Sequence, residues 1–507
     1  MMNLRASSPR VGFPLLRWVS VFLLLTGLTL GVVSLVQYSR VQDRLPPDTV
    51  VADIPVGGLT REEAARRVLE AYSAPVELVY GDAVIWLDPA AVGFQVDIDA
   101  MLAAVESQRQ QRSFWAGFWD FLWGRRPPKV EVPLVASYSE ARLREYLAQE
   151  IAPRYDKPPI PPQPVVGTTQ FSPGQWGSAL NIDQAIPLIE RALFSRTNRR
   201  VVLPIRRVPP TRPPLYNLQV LLEQTIDLSE FDGVVGLYLY HLNSGDEIHF
   251  IYRQGQEYPI PPDLAFTAAS TIKIPIMVSA FRRVDAAQEP PDSEILRWIK
   301  EMITLSGNDP ADWLMENLMD PNLGPLIVTQ DMRELGLENT FLAGYFYPGA
   351  PLLARFETPA NQRPDLNTEP DPYNQTTPSE MGMLLVDLYQ CAYRGGGTLL
   401  VAWPQEITRD ECRLMLEYLS QNRIGVLLEA SVPEGVRVDH KHGWISNPAG
   451  GIQTLGDAGI IYTPNGDYVL SIFIYRPQGL IWDVHSKLIQ RLGQAVYSYY
   501  NPPTSGP

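Results

Sequence analysis

The sequence predicts a mixed α/β sandwich at its C-terminal end: an antiparallel sheet with an inserted helical lobe, preceded by a membrane-spanning helix and two small α+β modules. Three observations predict it. Residues 233–242 read as a strand, Asn243-Ser244-Gly245-Asp246 supplies a turn, and 247–252 returns, which is a hairpin. The stretch that follows is mostly helical in its apolar spacing. Two further strand-like runs, 459–462 and 468–475, then flank the turn Pro464-Asn465-Gly466-Asp467 and lead into a helical segment, 484–499. Strands at both ends and helices between them give one sheet with a helical insertion.

The chain has 507 residues, which predicts about three domains. Its net charge of −14 argues against nucleic acid as a partner. Residues 18–36 form a nearly uninterrupted apolar run, long enough to span a bilayer. Arg5, Arg10 and Arg17 precede it, so the positive-inside rule keeps the N-terminus cytoplasmic and sends the remainder outside. The run is long for a cleaved signal peptide, and no Ala-x-Ala-like site follows it. The expected organisation is a cytoplasmic tail over 1–17, a transmembrane helix over 18–38, a first module over 46–130, a second over 131–208, and a C-terminal domain over 213–500. Localisation at a cell membrane, single-pass, with the C-terminal domain extracytoplasmic, follows.

Between membrane and C-terminal domain a pattern repeats. Gly93-Phe94-Gln95-Val96-Asp97-Ile98-Asp99-Ala100 is echoed by Gly177-Ser178-Ala179-Leu180-Asn181-Ile182-Asp183-Gln184. Each copy leads into an apolar-periodic helix, 101–105 or 185–193, with Asp99 and Asp183 as expected N-caps. Helices over 61–71 and 140–151 precede the two strand regions, and Thr60 with Glu63 has capping-box spacing. Between the modules lies Phe114-Trp115-Ala116-Gly117-Phe118-Trp119-Asp120-Phe121-Leu122-Trp123. So dense an aromatic run is expected to be buried in packing, the alternative being a place at a membrane interface.

Pro209-Pro210 and Pro213-Pro214 mark entry to the last domain, and a helix over 218–226 opens it. After the hairpin comes Ser270-Thr271-Ile272-Lys273, between a proline-rich stretch and an apolar helical run, 274–281. A serine and a lysine three apart share one helical face. A helix N-terminus offers backbone N–H groups, and apolar surroundings disfavour a charged lysine, which turns it into a base for the serine. Downstream lie Ser306-Gly307-Asn308, before a helix over 311–318, and Lys441-His442-Gly443, on an expected edge strand. Thr377, Pro378 and Glu380 read as N-cap, first helical position and closing residue of a capping box. Cys391 and Cys412 fall on two expected helices either side of Gly395-Gly396-Gly397. As antiparallel neighbours these helices bring the pair within disulfide reach; otherwise they hold two buried thiols. The sequence has neither C-x-x-C nor H-E-x-x-H spacing, so no metal site and no cofactor are expected.

The three motifs in this order resemble the penicillin-recognising serine hydrolases, most closely the class A β-lactamase-like catalytic domain, over residues 213–498. The resemblance implies a β-lactamase/transpeptidase-like sandwich. It implies Ser270 as nucleophile, Lys273 as base, and Ser306 as proton donor to the leaving nitrogen. It further implies Asn308, Lys441, His442 and Gly443 as substrate-binding, and the backbone N–H groups of Ser270 and Trp444 as an oxyanion hole. Two positions depart from the family pattern: Gly307 stands where aspartate is usual, and His442 where threonine or serine is usual. His442 keeps a hydrogen-bonding side chain and, on its ordinary pKa, titrates near neutral pH. The loop that carries the deacylating glutamate in the family's β-lactamases is matched only loosely, with Glu357 as the candidate base and Glu369 second. The Gly57-Gly58-Leu59-Thr60 helix entry and the Gly-to-Asp repeat resemble a peptidoglycan-binding domain found beside cell-wall enzymes, the other reading being a plain spacer. The implied activity is hydrolysis of β-lactams through an acyl-enzyme, with a β-lactam or a peptidoglycan stem peptide as partner. The alternatives are a D-Ala-D-Ala peptidase and a wall-binding or sensor protein without catalysis.

Overall fold

The computed structural model describes residues 14–290, 292–446 and 451–502. The expected cytoplasmic tail, with Arg5 and Arg10, lies mostly outside the described residues. The chain divides into two compact units: residues 1–159 with 176–209, and residues 160–175 with 210–507.

The first unit begins with helix α1 (Pro14–Gln42). Within it Arg17–Gln42 is long and apolar enough to cross a membrane, a property shared by single-pass anchors and signal sequences. The residues expected to form two α+β modules share one core. Strand Thr49–Val51 pairs in parallel with Val130–Val132, and Val76–Tyr80 pairs in parallel with Arg200–Val202. Val68, Leu78, Met101, Leu143 and Ile189 meet in that core. Helix Arg61–Tyr72 carries the expected Thr60–Glu63 capping box. The two repeat helices, Ile98–Gln110 and Ile182–Leu193, start earlier than expected. Asp97 and Asn181, not Asp99 and Asp183, are their N-caps, accepting from Ala100 N and Gln184 N. The first helical residues, Ile98 and Ile182, pack against the core, which draws each helix start two residues back.

The aromatic run forms helix α2 (Phe114–Leu122). Of its side chains only Phe118 is buried, so the expectation of burial is overturned for most of the run.

In the second unit, Phe171 joins a core with Leu218 and Leu492, its ring 5.6 Å from that of Tyr499. Residues 160–175, expected in the second module, therefore belong with the C-terminal unit. Its centre is a six-stranded antiparallel sheet of β1 (Val234–His241), β2 (Glu247–Arg253), β3 (Gln256–Tyr258), β4 (Val438–Ser446), β5 (Ile452–Ile461) and β6 (Tyr468–Leu480). The spatial order is β3-β2-β1-β6-β5-β4, with β1 beside β6, so both ends of the domain build one sheet. Along β6 the side chains alternate. Val469, Phe473 and Tyr475 join the core under the helical lobe, and Leu470, Ile472 and Ile474 join the core on the opposite face. Helices Leu215–Leu228 and Trp482–Tyr500 contribute to that second core. This is the mixed α/β, β-lactamase-like sandwich the sequence predicts.

The lobe contains α3 (Lys273–Phe281), α4 (Asn308–Leu314), α5 (Pro378–Tyr389) and α6 (Arg409–Ser420). Thr377 caps α5 as expected. Glu380 does not close a capping box. Its buried carboxylate accepts instead from Asn339 N, Asn339 Nδ2 and Thr340 Oγ1, at 2.6–3.0 Å. Cys391, just after α5, is disulfide-bonded to Cys412 on α6, with Cα atoms 6.0 Å apart.

Candidate active site

Ser270 lies in a 3-10 turn, Ala269–Ile272, that runs directly into α3, whose every residue from Lys273 to Phe281 is buried. Ala269, just before it, has φ +49°, a left-handed conformation that costs a non-glycine residue about 1–2 kcal/mol. The turn is held by neighbours: Ala269 N donates to Asn374 Oδ1 at 2.7 Å, and Thr271 Oγ1 donates to Ala268 O at 2.6 Å.

Lys273 Nζ donates to Ser270 Oγ at 3.1 Å, Ser306 O at 2.6 Å and Asn308 Oδ1 at 2.8 Å, with Ser306 Oγ at 3.4 Å. Burial pushes its pKa down to about 8, and the negative charge of Asp312 opposes the shift. Asp312 is itself pushed up to about 6 by burial, against hydrogen bonds from the Phe346 and Tyr347 backbone. The face of Phe346 lies 5.3 Å from Lys273 Nζ.

From the sheet edge, Lys441 Nζ donates to Ser306 Oγ at 3.0 Å and to His442 O at 3.1 Å. Its side chain has no exposed surface. Burial, with the neighbouring Lys273 charge, pushes it down to about 7. Ser306 thus stands between two lysines, with a backbone φ of +59°. Gly307 leaves no space for a side chain, because a Cβ there would lie 2.8 Å from Pro310 Cγ and Cδ. That packing gives a physical reason for glycine where the resemblance expects aspartate.

Gly443 has a tighter requirement than Gly307. A Cβ on it would lie 2.6 Å from Ser270 N and 2.8 Å from Thr271 N, so only glycine lets β4 close onto the Ser270 turn. Trp444 follows it, 40% exposed, with its ring edge-on to Trp482 at 4.8 Å.

His442 differs from expectation. Alternation along β4 puts it in a row with His440 and Trp444, on the face opposite Lys441 and Gly443. Its ring stacks on Trp444 at 5.4 Å and 10°, and Nδ1 meets Asn422 Nδ2 at 3.2 Å. Burial, helped by the Lys441 charge, pushes its pKa down to about 3, so it is neutral across the range in which the sequence expected it to titrate. Behind it His440 and Asp457 form a fully buried pair at 2.9 Å. Burial alone would lower the His440 imidazole, but the Asp457 charge more than offsets this and its pKa is raised.

The structure therefore gathers Ser270, Lys273, Ser306, Asn308, Lys441 and Gly443. It does not gather Glu357, which is exposed and shares no hydrogen bond with Ser270, Lys273 or Ser306. Glu369 is exposed as well. Sequence reasoning missed Asn374 and Asp312. Asp312 had a signal, since it lies four residues after Asn308 and so on the same helical face. Asn374 had none.

A buried lysine against a serine hydroxyl, with a second serine–lysine pair beside it, defines a serine–lysine hydrolase class of site. The sequence matches the family described as "Beta-lactamase enzyme family" over residues 219–297 and 290–500, more than half of the chain, and the chain belongs to this family. No curated protein matches the sequence. Among solved structures, a variant of PBP-A in an acyl-enzyme complex with penicillin G is 23% identical, with 58% of this chain and 100% of that one covered, at a TM-score of 0.40. An ancestral class A β-lactamase of Gram-negative bacteria is 21% identical over 54% of this chain and 98% of its own, at 0.39. A β-lactamase from Sphaerobacter thermophilus DSM 20745 is 18% identical over 57% and 100%, at 0.41.

Proposed function

We propose that the chain is a membrane-anchored, extracytoplasmic serine hydrolase that acts on β-lactams through an acyl-enzyme. The observation that carries this is the 3.1 Å contact between Lys273 Nζ and Ser270 Oγ, made where burial lowers the lysine's pKa. Neutral Lys273 takes the Ser270 proton as Oγ attacks the lactam carbonyl carbon. The backbone N–H groups of Ser270 and Trp444 receive the developing oxyanion. As the carbon–nitrogen bond breaks, Ser306 Oγ gives its proton to the leaving nitrogen and regains one from the Lys273 ammonium. Asn308 Oδ1 is engaged by Lys273, which leaves the Asn308 NH2 group for a substrate amide carbonyl. Lys441 Nζ, held by Ser306 Oγ and His442 O, is the charge that would receive a substrate carboxylate.

A second reading, a D-Ala-D-Ala peptidase acting on peptidoglycan stem peptides, is favoured by one observation. Among the described residues no carboxylate is hydrogen-bonded to Ser270, Lys273 or Ser306. Attack by water on the acyl-enzyme needs a placed base. The intact mass of the full-length protein, followed after addition of a penicillin beside Ser270→Ala, separates the readings. A transient adduct with accumulating hydrolysed drug supports the β-lactamase. A lasting adduct on the parent supports the peptidase. No adduct on the parent would overturn both and favour a non-catalytic wall-binding protein.

The anchor reading rests on the length and composition of α1, and protease protection in membrane vesicles tests it. The wall-facing role of residues 46–208 rests on their resemblance alone, and co-sedimentation of the full-length protein with purified peptidoglycan tests it.

A further inference from the structure

Helix α2 is built against the C-terminal end of α1. Tyr38, near that end, meets the rings of Phe114, Phe118 and Phe121 at 5.3, 5.7 and 5.4 Å. Gly117 makes the approach possible, since a Cβ there would collide with the Tyr38 hydroxyl. Arg109, at the end of helix Ile98–Gln110, donates to Gln42 O at 2.7 Å and Gln42 Oε1 at 2.5 Å, which ties the last residue of α1 to the unit.

One face of α2 is therefore accounted for, and another is not. Trp115, Trp119 and Trp123 follow at spacings of four and form a stripe, 62%, 58% and 72% exposed. Leu122 beside them is also exposed, and so are Arg125 and Arg126 just beyond. Three tryptophans facing water need a partner that accepts a ring body with a polar N–H edge.

The geometry of α1 says what that partner is. Trp18 and Tyr38 are twenty residues apart, which at 1.5 Å per residue is about 30 Å, the thickness of a bilayer's hydrocarbon core. With α1 across the membrane, Tyr38 sits at one boundary and Trp18 at the other. A helix fixed to Tyr38 then lies at the membrane–water interface, where tryptophan and arginine are favoured.

We propose that α2 is an interfacial membrane helix: its Trp115–Trp119–Trp123 stripe enters the headgroup region beside the end of α1, with Arg125 and Arg126 facing lipid phosphates. This rests on α1 being a retained anchor. The first unit would then hold the membrane at two points, which fixes its tilt as a single flexible pivot would not.

The test uses the full-length protein in nanodiscs of phospholipid brominated near the glycerol end of the chains, beside Trp115→Ser/Trp119→Ser/Trp123→Ser. The chain has 11 tryptophans. If indoles emit equally, bromine quenches about four of eleven in the parent, Trp18 among them, and about one of eight in the variant. The quenched fraction should fall roughly threefold. A quenched fraction equal in the two proteins, or larger in the variant, would overturn the proposal, because the three indoles would then lie in water or under protein. A parent dimer that the variant loses, without lipid quenching, would place a second copy on the stripe and overturn it too. Failure of the anchor reads differently: the parent is extracted from membranes by alkaline carbonate and Trp18 is not quenched. Far-UV circular dichroism and the melting curve of the full-length protein report that the variant is folded. Trp119→Ser alone, expected to show about a quarter of the fall, serves if the triple variant does not fold.

Discussion

Lys273 and Lys441 converge on one hydroxyl: their Nζ atoms lie 3.4 and 3.0 Å from Ser306 Oγ. Burial lowers both lysines, and the Lys273 charge further lowers the tendency of Lys441 to hold a proton. The site is therefore poised to carry one of its two lysines neutral near physiological pH, which is what proton relay to and from two serines requires.

The rate of acylation by a penicillin should follow that poise. Below about 8, the pKa to which burial pushes Lys273, the lysine is mostly protonated and cannot accept the Ser270 proton. At saturating penicillin, where loss of the Lys441 charge above about 7 no longer limits binding, the rate should rise about tenfold per pH unit toward 8 and then level. Stopped-flow acylation from pH 6 to 10 checks this, and a flat profile would remove Lys273 as the base.

Asp312→Asn should move that profile. The Asp312 charge favours protonated Lys273, so its removal lowers the lysine's pKa and shifts the rising limb to lower pH. Asparagine still offers an oxygen to Phe346 N, which Asp312 now accepts at 2.8 Å, so the loop is expected to remain in place. An unmoved limb would show that Asp312 does not act through Lys273.

Gly443→Ala should damage site and fold together. The added methyl meets Ser270 N and Thr271 N, and relief requires strand and turn to part. We expect a stability loss of about 1–3 kcal/mol by thermal melting. Acylation should fall about 10²-fold, as when an oxyanion donor is displaced.

Glu357→Gln should leave deacylation unchanged, because this exposed carboxylate shares no hydrogen bond with the nucleophile or its lysine. The decay of the adduct by intact mass reads this directly, and a slower decay would restore Glu357 as the base.

Cys391→Ser/Cys412→Ser should cost stability with little effect on acylation. The bridge spans 21 residues, and a loop of that size is worth about 3 kcal/mol in the unfolded-chain entropy. The variant should melt several degrees lower, and an unchanged Tm would mean the bridge adds nothing to the fold.

What the sequence made legible was the chemistry that local spacing carries. Ser270 and Lys273 are three apart at a helix start, and Lys441 and Gly443 are two apart on a strand, so each pair's common face was readable before any coordinates. The strands β1, β2 and β6 were readable from their apolar runs and turns. What spacing could not carry was contact across the fold. Asn374 reaches Ala269 from a strand more than a hundred residues away, and nothing local to it signals that role. His442 was misjudged because burial between Asn422 and Trp444, with the Lys441 charge beside it, decides its protonation, and the ring's ordinary pKa does not. The aromatic helix was misjudged because composition reports that rings seek cover without saying whether the cover is protein or lipid.

The pairing of β1 with β6 also has a bearing on biosynthesis. Val234 pairs with Tyr475 and His241 with Tyr468, so the central strand waits for residues made more than two hundred positions later. Contacts of such long sequence separation form slowly and late. Ser270 and Lys273 are made early, but Lys441 reaches Ser306 only once β4 joins the sheet through β5 and β6. Ser270 thus lacks the second lysine of the site throughout synthesis. A chain cut anywhere between Lys273 and β6 keeps the Ser270–Lys273 motif and has no complete sheet on which to finish the site.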